Sequence, residues 1–104
     1  MTPIAPHISE FLRERLPIQQ GASIHTCDSY AYTFKLLFQF ASKRLQLTPS
    51  AISLEQIDAQ LVMAFLLYLE TERHNKPRTR NARLVAIKSF MHFIGNCSDP
   101  RQLS

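Results

Sequence analysis

The strongest constraint on the fold is an apolar stripe in the second quarter of the chain. Its members recur at three- and four-residue steps, the spacing of one face of an α-helix. The stripe consists of Cys27, Tyr30, Ala31, Phe34, Leu37, Phe38, Ala41 and Leu45. Ser23 is the predicted N-cap, because its hydroxyl can accept a hydrogen bond from a first-turn amide. Leu36 and Phe40 form a second strip, which we assign to contacts with the preceding helix.

Two other segments before residue 75 have helical patterns. Residues 7–16 predict a short helix that Pro17 ends, because proline lacks the N–H that continues a helix. Asp58 predicts the N-cap of a third helix that ends near Arg73 or His74. This helix is apolar nearly all round, which is typical of a helix at the centre of a bundle. Between the second and third helices, residues 53–56 predict a single turn.

The fourth helix follows a basic, proline-containing turn. We predict Thr79 as its N-cap and Gly95 as the residue that ends it. Its apolar face consists of Leu84, Ile87, Phe90, Met91, Phe93 and Ile94. Arg78, Arg80 and Arg83 crowd its start, where the positive end of the helix dipole disfavours cations. A solvated helix end is the plain explanation. Three arginines at this position instead favour an anionic partner such as phosphate.

The composition predicts one all-α domain. A chain of 104 residues with 45% hydrophobic residues and two glycines suits a bundle of four main helices. We predict an N-terminal arm over 1–6, a helical domain over 7–95, and the start of a linker over 96–104. The net charge of +4 permits nucleic-acid binding without establishing it.

Several classes of function find no support in the sequence. The N-terminus has no signal-peptide pattern, and the longest apolar run, 61–69, is too short to cross a bilayer. Two distant cysteines suit a reducing, cytoplasmic setting. The four histidines lack metal-ligand spacing, so neither a metal nor a cofactor is predicted. No serine has an evident activating base, and we expect no catalysis by this chain alone.

Binding has better support than catalysis. One side of the second helix begins with the polar residues His25, Thr26, Ser29 and Tyr32. If the second and fourth helices lie side by side, these residues and the arginines would face one ligand. Hydroxyls and guanidinium groups together are a common contact set on DNA. Taken alone, His25 and Tyr32 are better explained as ordinary exposed helix surface. Because the sequence pattern gives Arg78, Arg80 and Arg83 no contact with the hydrophobic core, we expect their removal to leave stability almost unchanged.

At this point three segments together resemble a known family. Ser23-x-x-Thr26-x-x-x-Tyr30, followed by phenylalanines, resembles the second helix of the N-terminal core-binding domain of tyrosine recombinases, or phage integrases. The segment IDAQLVMAFLLYL is similar to that domain's third helix, and 79–94 to its fourth. Each motif is mainly a helix pattern, whereas their order and spacing are fairly specific. The resemblance covers roughly residues 7–95.

The resemblance implies a SAM-like bundle that forms half of a clamp around double-stranded DNA. It implies a C-terminal catalytic domain of the same polypeptide, absent here, and other recombinase subunits as partners. The resemblance also implies that the protein is encoded by a bacterium or a phage and is associated with the nucleoid. The family's DNA-facing positions correspond to His25, Thr26, Ser29, Tyr32, Arg78, Thr79, Arg80 and Arg83, with Lys88 as a further phosphate candidate. Asp28 departs from this pattern, and could accept from a cytosine amino group or pair with an arginine.

Two other functions remain open. A helical protein–protein interaction module is possible for a SAM-like bundle, because a fold does not determine a function. A stand-alone helix-turn-helix regulator is less favoured, since HNKPRT does not supply the short glycine-bearing turn of that motif.

Overall fold

The computed structural model describes residues 3–98, and the side chains of 3–95, as an all-α bundle. Helix α1 spans Ala5–Glu10 and continues directly into a π-helix over Phe11–Gln19. Helices α2, α3 and α4 span Ile24–Leu45, Ala59–Thr71 and Pro77–Ser98. Two single 3-10 turns, Pro49–Ala51 and Leu54–Gln56, connect α2 to α3. The predicted all-α bundle of four main helices is confirmed.

Local capping fixes the starts of α2 and α3 as predicted. The Ser23 hydroxyl accepts from the Thr26 amide at 3.2 Å, and Asp58 Oδ1 accepts from the Leu61 amide at 2.9 Å. Each cap satisfies an amide that has no partner in the preceding turn. The turn predicted over 53–56 also forms: the Ser53 amide donates to Gln56 Oε1 at 2.9 Å, and the Gln56 amide donates to the Ser53 carbonyl at 3.1 Å.

Phe11 is the centre of the aromatic core. Its side chain is fully buried. Its ring centroid lies 6.2–6.3 Å from those of Tyr30 and Phe34 in α2, and 5.4–5.5 Å from those of Phe90 and Phe93 in α4. Ring pairs at these separations add to the free energy of apolar burial. The π-helix is therefore attached to both long helices through one side chain.

Helix α3 lies antiparallel to α2, against its second apolar strip. Phe40 contacts Phe65 and Tyr68 of α3, with ring centroids 5.7 and 5.2 Å apart, while Tyr32 bonds to Arg73 after the end of α3. Residue numbers thus rise in opposite directions along the two helices. The assignment of Phe40 to the first helix is wrong, because α3 needs a partner for its apolar face and Phe40 provides it.

The first helical segment is longer than its sequence predicts. Ile4, expected in an extended arm, is buried, and its amide donates to the Ile52 carbonyl at 3.3 Å. Helix α1 begins at Ala5, so the arm prediction is wrong for residues 4–6. Pro17 lies within the π-helix instead of ending the segment. Burial of Leu16 on the core holds the chain helical there, although Pro17 cannot donate a helical hydrogen bond.

Two predictions for α3 and α4 also need correction. Met63 and Leu67 are 61% and 59% exposed, so α3 lies at an edge of the bundle and not at its centre. Gly95 lies inside α4, which continues to Ser98, because Phe93 remains buried and no positive φ ends the helix. Residues 96–98 are therefore helical. The rest of the predicted linker, 99–104, lies outside the described residues, as do residues 1–2.

Candidate nucleic-acid interface

Helix α4 begins three residues earlier than predicted, at Pro77 instead of Arg80. The Arg80 amide donates to the Lys76 carbonyl at 3.0 Å, which makes Pro77 the first helical residue. The prediction of Thr79 as N-cap is wrong, because the fixed φ of proline favours the first helical position. The amides of Arg78 and Thr79 then have no partner in a preceding turn. Such amides, at the positive end of a helix, suit an anion.

The starts of α2 and α4 lie next to each other. Arg83 Nη1 donates to the Ser29 carbonyl at 3.3 Å, to Ser29 Oγ at 3.4 Å and to Thr33 Oγ1 at 3.0 Å. Two turns later, Phe90 packs on Phe34 with ring centroids 5.4 Å apart. Residue numbers rise together along the pair, so α2 and α4 run in the same direction. The side-by-side arrangement that the binding hypothesis requires is therefore present.

Arg83 has a structural partner that the sequence did not reveal. Thr33 is buried, and its hydroxyl donates to the Ser29 carbonyl at 3.0 Å while accepting from Arg83. Hydrogen bonds to a charged group are among the stronger ones in proteins. Arg83 therefore holds α2 against α4, contrary to the expectation that the arginines support no packing.

Tyr32 connects this region to the end of α3. The Arg83 guanidinium carbon lies 5.1 Å from the centroid of the Tyr32 ring, within cation–π range. Arg73 Nη2 donates to the Tyr32 hydroxyl at 3.2 Å. The sequence pattern placed Arg73 only near the end of the third helix. Its contact joins residues 41 apart in sequence, which no local pattern indicates.

Arg80 is paired within the protein. Its Nε lies 2.7 Å from Glu70 Oε1 on α3, and its Nη1 donates to Asn81 Oδ1 at 3.2 Å. The Nε–H is not directed at the carboxylate well enough for a hydrogen bond, so the Glu70 contact is an ion pair only. Arg80 is half-buried but Glu70 is exposed, so water screens the pair and its contribution to stability is small. Glu70 nevertheless offsets part of the positive charge that Arg80 offers to a ligand.

Arg78 is the arginine of this cluster that remains free. Its side chain is exposed and makes no hydrogen bond or ion pair with the residues whose side chains the structure describes, 3–95. The three arginines predicted as equivalent thus differ. Arg78 is available to a ligand, Arg80 is paired with an acid, and Arg83 is bonded to α2.

The remaining predicted residues divide into two groups. His25 and Thr26 are exposed at the start of α2, where Thr26 Oγ1 also accepts from the Ser23 hydroxyl at 3.1 Å. Lys88 is exposed but lies roughly 16 Å along α4 from its start. It is therefore not brought together with the others. Asp28 is exposed and has no ion pair with an arginine within residues 3–95.

We call the assembled surface the α2–α4 face. It consists of His25, Thr26, Ser29, Tyr32, Arg78, Thr79, Arg80 and Arg83. Within residues 3–98, no helix is long and apolar enough to cross a membrane. No group of three or more histidine, cysteine or acidic side chains among the described residues is arranged to hold a metal ion.

The sequence of this helical bundle matches the model of a known protein family. The model of the phage integrase N-terminal SAM-like domain matches residues 8–95. The chain belongs to this family, and the SAM-like fold is thereby confirmed. No solved structure gives a significant match to it.

Two relatives from Sinorhizobium fredii (strain NBRC 101917 / NGR234) carry related names. The chain is 42% identical over 97 residues to a putative integrase/recombinase designated y4rD, and 44% identical over 90 residues to another designated y4rC. These alignments cover 93% and 86% of this chain, but only 34% and 27% of the relatives. The chain therefore spans about a third or less of each relative's length.

Proposed function

We propose that this chain is the DNA-binding core-binding domain of a site-specific tyrosine recombinase. In this proposal it forms half of a clamp around the recombination site and meets DNA through the α2–α4 face. The observation that carries the proposal is the contact of Arg83 with Ser29 and Thr33. This contact places the hydroxyl-bearing start of α2 beside the arginine-bearing start of α4.

In this proposal the residues of the α2–α4 face have different roles. Arg78 and the free amides of α4 suit phosphate oxygens, which position a protein on DNA without reading its sequence. His25 and Thr26 are exposed at the neighbouring helix start and offer polar atoms to phosphates or base edges. The face thus has the mixed character of a DNA contact surface.

The activity of the whole protein is a further part of the proposal. Catalysis would belong to a C-terminal domain of the same polypeptide, outside this chain, and other recombinase subunits would be its partners on DNA. A cytoplasmic, nucleoid-associated protein encoded by a bacterium or phage would follow. The membership in an integrase family and the names of the two relatives support this assignment.

One observation favours the helical protein-interaction module as second candidate. Met63 and Leu67 are more than half exposed on neighbouring turns of α3, beside the half-buried Ala64. Apolar side chains grouped on a surface are typical of protein contacts. A recombinase domain can use such a surface as well, so binding to DNA decides between the candidates.

The test is a salt titration of DNA binding by the 104-residue chain. Duplex DNA with a fluorescent label reports binding by anisotropy. For three or four phosphate contacts, the affinity should fall about 40- to 150-fold between about 50 and 200 mM salt. Binding should be weak and poorly sequence-specific, because half a clamp neutralises few phosphates.

Two results would contradict this proposal. The absence of DNA binding at low salt would favour the protein-interaction module. Submicromolar, strongly site-selective binding at physiological salt would favour an independent regulator over half of a clamp. A chain heated past its unfolding transition serves as the control for non-specific binding of a basic polypeptide.

A further inference from the structure

Tyr32 lies between two guanidinium groups from different helices. The Arg83 guanidinium packs over its ring, and Arg73 donates to its hydroxyl. Arg83 belongs to α4, and Arg73 lies just after the end of α3. Three parts of the bundle thus meet at one exposed side chain, which is 42% accessible.

The Tyr32–Arg73 pair retains unused donors. The hydroxyl oxygen accepts from Arg73, so its own O–H proton is free to donate to another group. The Arg73 guanidinium has five N–H bonds and uses one of them here. A neutral O–H donor and a cationic donor side by side match a phosphodiester, which offers two negatively charged oxygens.

Arg83 has few donors left for a ligand. Its Nη1 bonds to Ser29 and Thr33, and its Nε is buried without a hydrogen-bond partner. Bidentate contact with a guanine edge would need two adjacent donors that are both accessible. The atoms of Arg83 instead serve the protein, because they fix its guanidinium plane over the Tyr32 ring.

We propose that the Tyr32 hydroxyl and the Arg73 guanidinium hold one phosphate of bound DNA, and that Arg83 is a positioning residue for Tyr32. This inference rests on the proposed function and adds Arg73 to the α2–α4 face. An exposed tyrosine loses rotamer freedom when it binds a ligand. Stacking by Arg83 reduces this loss, because the ring is already held in the free protein.

The first test compares Tyr32→Phe and Arg73→Gln with the parent chain on labelled duplex DNA. Arg73→Gln should weaken binding about eightfold at about 0.1 M salt and lower the salt slope by about 0.9. Tyr32→Phe should weaken binding about fivefold through loss of one hydrogen bond, and it should leave the slope unchanged because the tyrosine hydroxyl carries no charge. It retains the ring on which Arg83 packs.

Arg44→Gln is the matched control. Arg44 is exposed in the last turn of α2, and its substitution removes the same charge as Arg73→Gln. Its binding should stay within about twofold of the parent, since charges beyond a Debye length are largely screened. Equal weakening by Arg44→Gln and Arg73→Gln would overturn the phosphate contact in favour of a general charge effect.

The positioning role is tested with Arg83→Lys. Lysine keeps the charge but cannot reproduce the planar stack on Tyr32 and the bonds to α2. We expect binding about fivefold weaker with an unchanged salt slope, measured well below the unfolding temperature of the variant. A fivefold loss of affinity corresponds to loss of the hydrogen bond from the Tyr32 hydroxyl to phosphate. Parent-like affinity of Arg83→Lys would show that only its charge matters and would overturn the role.

The outcomes separate this inference from the proposed function. If the parent binds DNA with the expected salt dependence while Tyr32→Phe and Arg73→Gln bind equally well, the phosphate contact is wrong and the DNA-binding function stands. If the parent binds no DNA, both are wrong. Tyr32 and Arg73 are exposed, so circular dichroism should show unchanged folding for their variants.

Discussion

Phe11→Ala should lower the free energy of unfolding by about 3–5 kcal/mol. Phe11 is fully buried, and its ring contacts four other aromatic rings in α2 and α4. Alanine would remove most of the buried side chain and leave a cavity between the π-helix, α2 and α4. Other core contacts hold these helices in place, so they cannot move together to fill it. Urea denaturation followed by circular dichroism measures the change.

Ile18→Ala is the control for this prediction. Ile18 lies in the same π-helix but is 75% exposed, so its truncation should change stability by less than about 0.5 kcal/mol. A loss below about 1 kcal/mol for Phe11→Ala would show that the π-helix does not pack on α2 and α4 as described.

Arg83→Ala should lower the free energy of unfolding by about 1.5–3 kcal/mol, the range for hydrogen bonds to a charged group. Arg83 bonds to Ser29 and to the buried Thr33, and it packs over Tyr32. Because Arg83 is itself half-buried, the lower part of this range is expected. The measurement is again urea denaturation of the 104-residue chain.

Comparing the stability of Arg78→Ala with that of Arg83→Ala distinguishes an arginine that is free to bind a ligand from one that supports packing. Arg78 is exposed and has no partner within residues 3–95, so its removal should leave stability within about 0.5 kcal/mol of the parent. Relief of an unfavourable charge at the helix start could even stabilise α4 slightly. If Arg78→Ala and Arg83→Ala have the same free energy of unfolding, Arg83 does not hold α2 to α4.

Local sequence patterns predicted the features that depend on neighbouring residues. Ser23 and Asp58 cap their helices as expected, because each cap involves an amide three residues away. The stripe along α2 identified Phe34 and Leu37 as core residues, which are buried. The N-cap of α4 was wrongly predicted at Thr79, because the preference of Pro77 for the first helical position outweighs the capping preference of Thr79.

Features that depend on distant partners could not be predicted from the sequence. Arg83 and Thr33 are 50 residues apart, and Arg73 and Tyr32 are 41 apart. No spacing rule connects such residues, so three arginines in one short segment looked equivalent. The same limit applies to Phe40, whose partner was decided by the position of α3. The candidate face was therefore predicted by residue type, but the role of each arginine was not.

The most direct measurement of the central claim compares two charge reversals on DNA affinity. Arg78→Glu alters the α2–α4 face, whereas Arg44→Glu changes the same charge in the last turn of α2, roughly 22 Å along the helix from Ser29. Each phosphate contact is worth about eightfold in affinity at about 0.1 M salt. Arg78→Glu should thus weaken binding about tenfold or more, and Arg44→Glu by no more than about twofold. Equal losses, or a larger loss for Arg44→Glu, would contradict DNA binding through the α2–α4 face.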